Sequence, residues 1–138
     1  MRTTKRLALA IGVIALGGGL IITPAAIATP EAGSPSAASC LGDAWKYDKA
    51  PGEIDAPPGA AYYRTTNRCA DIQVKPSDGT VLKLCYLKNH DQNQVVCKDE
   101  VNVPGGRWKI LGTDFKDGVE FWLRFSNTGA HKTGLVAA

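Results

Sequence analysis

Cys40, Cys69, Cys85 and Cys97 are the residues of this chain best equipped to make bonds, and which bonds they make depends on the compartment the chain reaches. Arg2, Lys5 and Arg6 give the chain a positive start, residues 7–22 carry no charge, and Pro24 is followed by the small residues Ala25, Ala26 and Ala28. A basic segment, an apolar segment and an Ala-x-Ala site together read as a secretory signal peptide. Ala26-Ile27-Ala28 is the expected cleavage site, with Thr29 as the mature N-terminus and a secreted, extracellular destination. The apolar run falls short of the roughly 20 residues of a spanning helix, and Gly17, Gly18 and Gly19 weaken it as a helix. Four cysteines in an exported chain predict two disulfides. Lipidation of Cys40 would need the cysteine directly after the apolar run, yet residues 29–39 intervene, and an odd number of thiols would remain. Zinc is disfavoured because no Cys-x-x-Cys pair exists. The expectation is therefore no metal, no cofactor, and sulfurs that are oxidised rather than nucleophilic.

The other reactive side chains do not assemble into a catalytic pattern. Ser34, Ser36 and Ser39 precede the domain, Ser77 sits in a turn and Ser126 at a strand end, and no Gly-x-Ser-x-Gly elbow occurs. His90 falls on a polar Asn-His-Asp-Gln-Asn tip and His131 in a polar Gly-Ala-His-Lys-Thr-Gly segment, both read as solvated loops. Asp114 and Asp117 flank a turn, while Asp99 and Glu100 are neighbours whose side chains would point to opposite faces of a strand. No Asp-x-Asp-x-Asp-Gly calcium loop is present. Charge excludes more. Losing Arg2, Lys5 and Arg6 with the signal peptide brings 16 basic residues down to 13, level with the 13 acidic ones. A neutral domain with interspersed charges lacks the basic stripe of a nucleic-acid binder, and it has no polybasic attraction to a membrane surface once the signal is removed. The chain is expected not to be an enzyme.

The elements that position these residues are strands. Residues 29–39, rich in Pro, Ser, Ala and Gly, read as a flexible leader, and residues 40–138 as one disulfide-stapled β domain. Strand-like stretches run over 60–66, 70–75, 80–88, 94–103, 107–115 and 119–126, with Leu135 and Val136 closing a last short strand. The expected fold is all-β: a small antiparallel sandwich or barrel of about five to seven strands, stapled by two disulfides. A hairpin centred on Asp91 places Leu87 opposite Val95, Tyr86 opposite Val96 and Cys85 opposite Cys97, close enough for a bridge. Cys40 then pairs with Cys69. A turn over residues 76–79 predicts a hairpin with Val74 facing Leu82 and Ile72 facing Leu84. A turn at Lys116-Asp117-Gly118 predicts another, with Phe115 across from Val119 and Leu111 across from Leu123. Val119, Phe121, Leu123 and Phe125 then share one face, leaving Trp122 on the other side with Trp108 and Ile110. Those two tryptophans are either covered by a second layer or form an exposed aromatic contact patch.

The order Cys40, Trp45-Lys46-Tyr47, Asn67-x-Cys69-Ala70, Cys85-Tyr86 and Pro104-Gly105 resembles the tendamistat family, small secreted bacterial inhibitors of α-amylase. The resemblance implies a two-disulfide β-sandwich and a recognition triplet on an exposed loop, carried here by Trp45, Lys46 and Tyr47. Lys46 stands where that family has arginine. The leading expectation is an exported, non-catalytic binding protein that inhibits an extracellular enzyme. The alternative is a cell-surface or exopolysaccharide-binding protein that uses exposed aromatics. The partner is accordingly an extracellular protein or polysaccharide, and the expected contact residues are Trp45, Lys46, Tyr47, Trp108 and Trp122.

Overall fold

A computed structural model describes residues 37–138. Residues 1–28, expected to be a signal peptide, and residues 29–36 of the expected leader lie outside the described residues. The chain folds as α1 (Ala37–Gly42), β1 (Trp45–Lys49), β2 (Asp55–Ala56), β3 (Tyr63–Arg64), β4 (Ile72–Pro76), β5 (Thr80–Leu87), β6 (Val95–Cys97), β7 (Val101–Val103), β8 (Lys109–Gly112), β9 (Glu120–Phe125) and β10 (Lys132–Ala137). Two antiparallel sheets result. One has the order β1-β10-β4-β8. In the other, β9 and β5 pair centrally, flanked by β2 and β3 on one edge and by β6 and β7 on the other. The arrangement is a sandwich and not a closed barrel.

Period-two alternation builds the core between the sheets. Phe121, Leu123 and Phe125 of β9 pair with Tyr86, Leu84 and Leu82 of β5. Together with Val103 and Ala56 they face Tyr47, Ile72, Val74 and Val136 of the four-stranded sheet. Burying each large apolar side chain contributes about 1.5–3 kcal/mol relative to exposure. Lys49 is also fully buried, and its ammonium donates to the carbonyls of Ala50 (3.2 Å), Glu53 (2.9 Å) and Thr128 (3.3 Å). One side chain thus satisfies three main-chain acceptors beneath two loops.

Both disulfides form as expected, Cys40–Cys69 and Cys85–Cys97, with Cα separations of 5.0 and 4.1 Å. The pairing of Leu87 with Val95, Tyr86 with Val96 and Cys85 with Cys97 is also as expected. Two other hairpins are corrected. β4 pairs with β10 and β8, not with β5, and residues 77–79 carry the chain from one sheet to the other. Likewise β8 pairs with β4, while β9 pairs with β5. The apolar alternation on which both hairpins were predicted is satisfied equally well when two strands face each other across the core. The link after β8 is instead fastened to the segment around β3: Phe115 N–H donates to Ala70 O and Gly118 N–H to Thr65 O. Trp45-Lys46-Tyr47 lies on strand β1, not on a loop. The C-terminal strand is longer than expected and lies between β1 and β4. A short helix, α1, begins at Ala37, within the segment read as leader.

Candidate functional site

The outer face of the four-stranded sheet is half covered. At one end the Cys40–Cys69 bridge packs with Ala137, Leu41, Ala44 and Trp108 into a small second core. At the other end the face is open and forms a trough of about 350 Å³. The strand registers explain its shape. Tyr47, Gly134 and Pro76 lie side by side across β1, β10 and β4. The Tyr47 and Pro76 side chains point into the core, so this row offers only backbone outward. The rows on either side point out, as alternation requires. Lys46, Leu135 and Lys75 make one wall. Asp48 and Thr133, with Ser77 just beyond β4, make the other.

Gly134 keeps the floor low. A Cβ at this position would lie 2.7 Å from Tyr47 Cε1 and 2.5 Å from the Lys75 carbonyl oxygen. Only glycine lets β10 settle on the Tyr47 ring. The ring is itself 2% exposed and packs against Phe125 with 5.7 Å between centroids. Burial pushes the Tyr47 phenol well above its ordinary range, and its hydroxyl has no hydrogen-bond partner among the described residues.

The two walls differ in charge. Asp48 Oδ1 lies 2.7 Å from His131 Nε2, and Ser77 Oγ lies 3.0 Å from Thr133 Oγ1. Neither Lys46 nor Lys75 belongs to any of the ion pairs among the described residues. The imidazole therefore contacts a carboxylate while the hydroxyls contact each other. The trough offers hydrogen-bonding groups and positive charge. Among the described residues no group of three or more His, Cys, Asp or Glu side chains could hold a metal ion.

The residues expected to make contact are dispersed. Lys46 is on the trough wall. Tyr47 lies in the core beneath the floor, which withdraws its ring from any surface contact. Trp45 is half-buried and stacks on Tyr63 at 6.0 Å. Trp108 packs beside the Cys40–Cys69 bridge. Trp122 is 7% exposed, buried with Cys85 and Leu87 on the outer face of the other sheet, where Tyr62 covers it at 5.5 Å. Trp108 and Trp122 thus sit on opposite outer faces and make no common patch. They were expected to be neighbours only because β8 was paired with β9. Beside the Trp122 cluster, Glu120 binds Arg64 at 2.7 Å and lies 3.7 Å from His90 Nδ1.

Asp48, Lys75, Ser77, Thr133 and Leu135 were missed as site residues. Alternation along β1 marks Lys46 and Asp48 as a pair on one face. No local signal places residues 75–77 and 133–135 beside them, because those contacts join strands far apart in the chain. Comparison of the chain with protein-family models, with curated proteins and with solved structures found no match.

Proposed function

We propose that the chain is an exported, non-catalytic binding protein that holds an extracellular polysaccharide in the trough of its four-stranded sheet. The observation that carries this reading is the trough itself: a concavity at the small end of the range for ligand sites, walled by hydroxyl, carboxylate and ammonium groups on rigid strands. Side chains held on paired strands need little ordering on binding. Two disulfides in a small β domain agree with an oxidising compartment, and among the described residues no helix is long and apolar enough to cross a membrane. Enzyme inhibition through the Trp45-Lys46-Tyr47 triplet has less support, because it needs the Tyr47 ring at the surface.

The test is a carbohydrate array of bacterial and plant cell-wall polysaccharides, probed with the mature protein and with Thr133→Trp, whose indole would fill the trough. Thr133 points outward, so the variant should melt with the wild type. Retention of the wild type on at least one glycan, weakened tenfold or more in the variant, is the expected result. No retention on any glycan, or retention that Thr133→Trp leaves unchanged, would overturn the reading.

A further inference from the structure

We infer that the polysaccharide taken by the trough is anionic, its sugar rings carrying carboxylate or sulfate groups that Lys46 and Lys75 receive; this rests on the polysaccharide reading above. The two lysines stand in one row on either side of Leu135, their Cα atoms two strand spacings or roughly 10 Å apart. Side chains of that length can both reach the space above Leu135. Neither has an acidic partner among the described residues. The carboxylate across the trough, Asp48, is already engaged by His131. Two uncompensated ammoniums on one wall of a concavity concentrate positive potential inside it, although the mature chain as a whole carries as many acidic as basic residues.

The opposite wall and the floor say what else the ligand carries. Ser77 and Thr133 share one hydrogen bond, which leaves each hydroxyl oxygen capacity for another. Asp48 keeps acceptor sites of its own. Such a wall suits a ligand that both donates and accepts, as sugar hydroxyls do. The floor is main chain within three paired strands, and its amide groups lie in the plane of the sheet. A polypeptide crossing the trough would find no partners there for its own backbone, and leaving these unpaired is costly. A sugar chain has no peptide backbone and does not meet this obstacle.

The test measures binding of the mature protein to oligogalacturonate and to a sulfated galactan oligomer. The methyl-esterified oligogalacturonate, the unsulfated galactan and poly-glutamate serve as comparisons. At least one anionic sugar should bind, more weakly as salt rises. Lys46→Gln and Lys75→Gln should each weaken that binding about tenfold, the worth of one hydrogen bond to a charged group. Lys109→Gln, which alters an exposed lysine outside the trough, should leave it unchanged, and all three variants should keep the wild-type melting temperature. Equal binding of the neutral counterparts would overturn the inference, as would equal loss of affinity in Lys109→Gln. Equally tight binding of poly-glutamate through the same lysines would overturn it in favour of a protein partner. If neither anionic sugar binds while the array retains a neutral glycan, this inference falls and the polysaccharide reading stands.

Discussion

Replacing Tyr47 by phenylalanine should stabilise the protein. The Tyr47 ring is in the core between the sheets, against Phe125 and beneath Gly134, and its hydroxyl is buried without a partner among the described residues. An unsatisfied buried polar group costs about 1–3 kcal/mol. Phenylalanine keeps the ring and removes the group, so a gain of about 1–2 kcal/mol is expected. For a domain of about 100 residues that raises the melting temperature by roughly 4–16 °C. Urea unfolding of both proteins measures the same quantity, and the denaturant slope should not change, because the surface buried is the same. Tyr47→Ala should act in the opposite direction and cost about 3–5 kcal/mol, the penalty of a large cavity in a packed core. An exposed recognition residue would show neither effect. The reasoning is refuted if Tyr47→Phe is neutral or destabilising, since the hydroxyl would then be hydrogen-bonded, or if Tyr47→Ala costs less than about 1 kcal/mol, since the ring would then lie outside the core.

Lys49→Met should destabilise the domain by ~1–3 kcal/mol in chemical denaturation, because the Glu53 carbonyl loses its donor while those of Ala50 and Thr128 keep only the Glu53 and Gly52 amides; a loss below about 1 kcal/mol would mean that the Glu53 carbonyl finds another donor. Alkali should weaken the fold. Burial pushes the Tyr63 phenol up to about 12 from its ordinary 10, so between those values the unfolded chain releases its proton while the folded one keeps it. The stability from Tyr63 is therefore complete below pH 10 and lost as pH rises toward 12. Tyr63→Phe should lessen that slope, the rest of which Tyr47 supplies, and an unchanged slope would count against the half-buried placement of the Tyr63 ring.

The parts of the fold that were legible in the sequence are those fixed by local geometry. The Cys85–Cys97 bridge follows from a hairpin whose two strands are equidistant from one polar tip, and Cys40–Cys69 follows by elimination. The inward row Phe121, Leu123 and Phe125 follows from alternation alone. Sheet membership was not legible. Strands that follow one another with matched apolar faces can pair edge to edge or oppose each other across a core, and both arrangements bury the same residues. β4 with β5 and β8 with β9 take the second course, which places Trp108 and Trp122 on opposite sides of the sandwich. Alternation along β1 already separates Lys46 and Asp48 from Tyr47. Read with that parity, Trp45-Lys46-Tyr47 divides into a half-buried ring, an outward ammonium and a buried ring, so its three side chains do not share one face of the strand. The trough needs one further piece of information, the register of β10 between β1 and β4. That register follows from Gly134, the residue whose missing side chain makes room for the Tyr47 ring. The same contact fills the core beneath the sheet and lowers the floor above it, so Gly134→Ala should disturb packing and binding together, whereas Lys75→Gln should disturb binding alone.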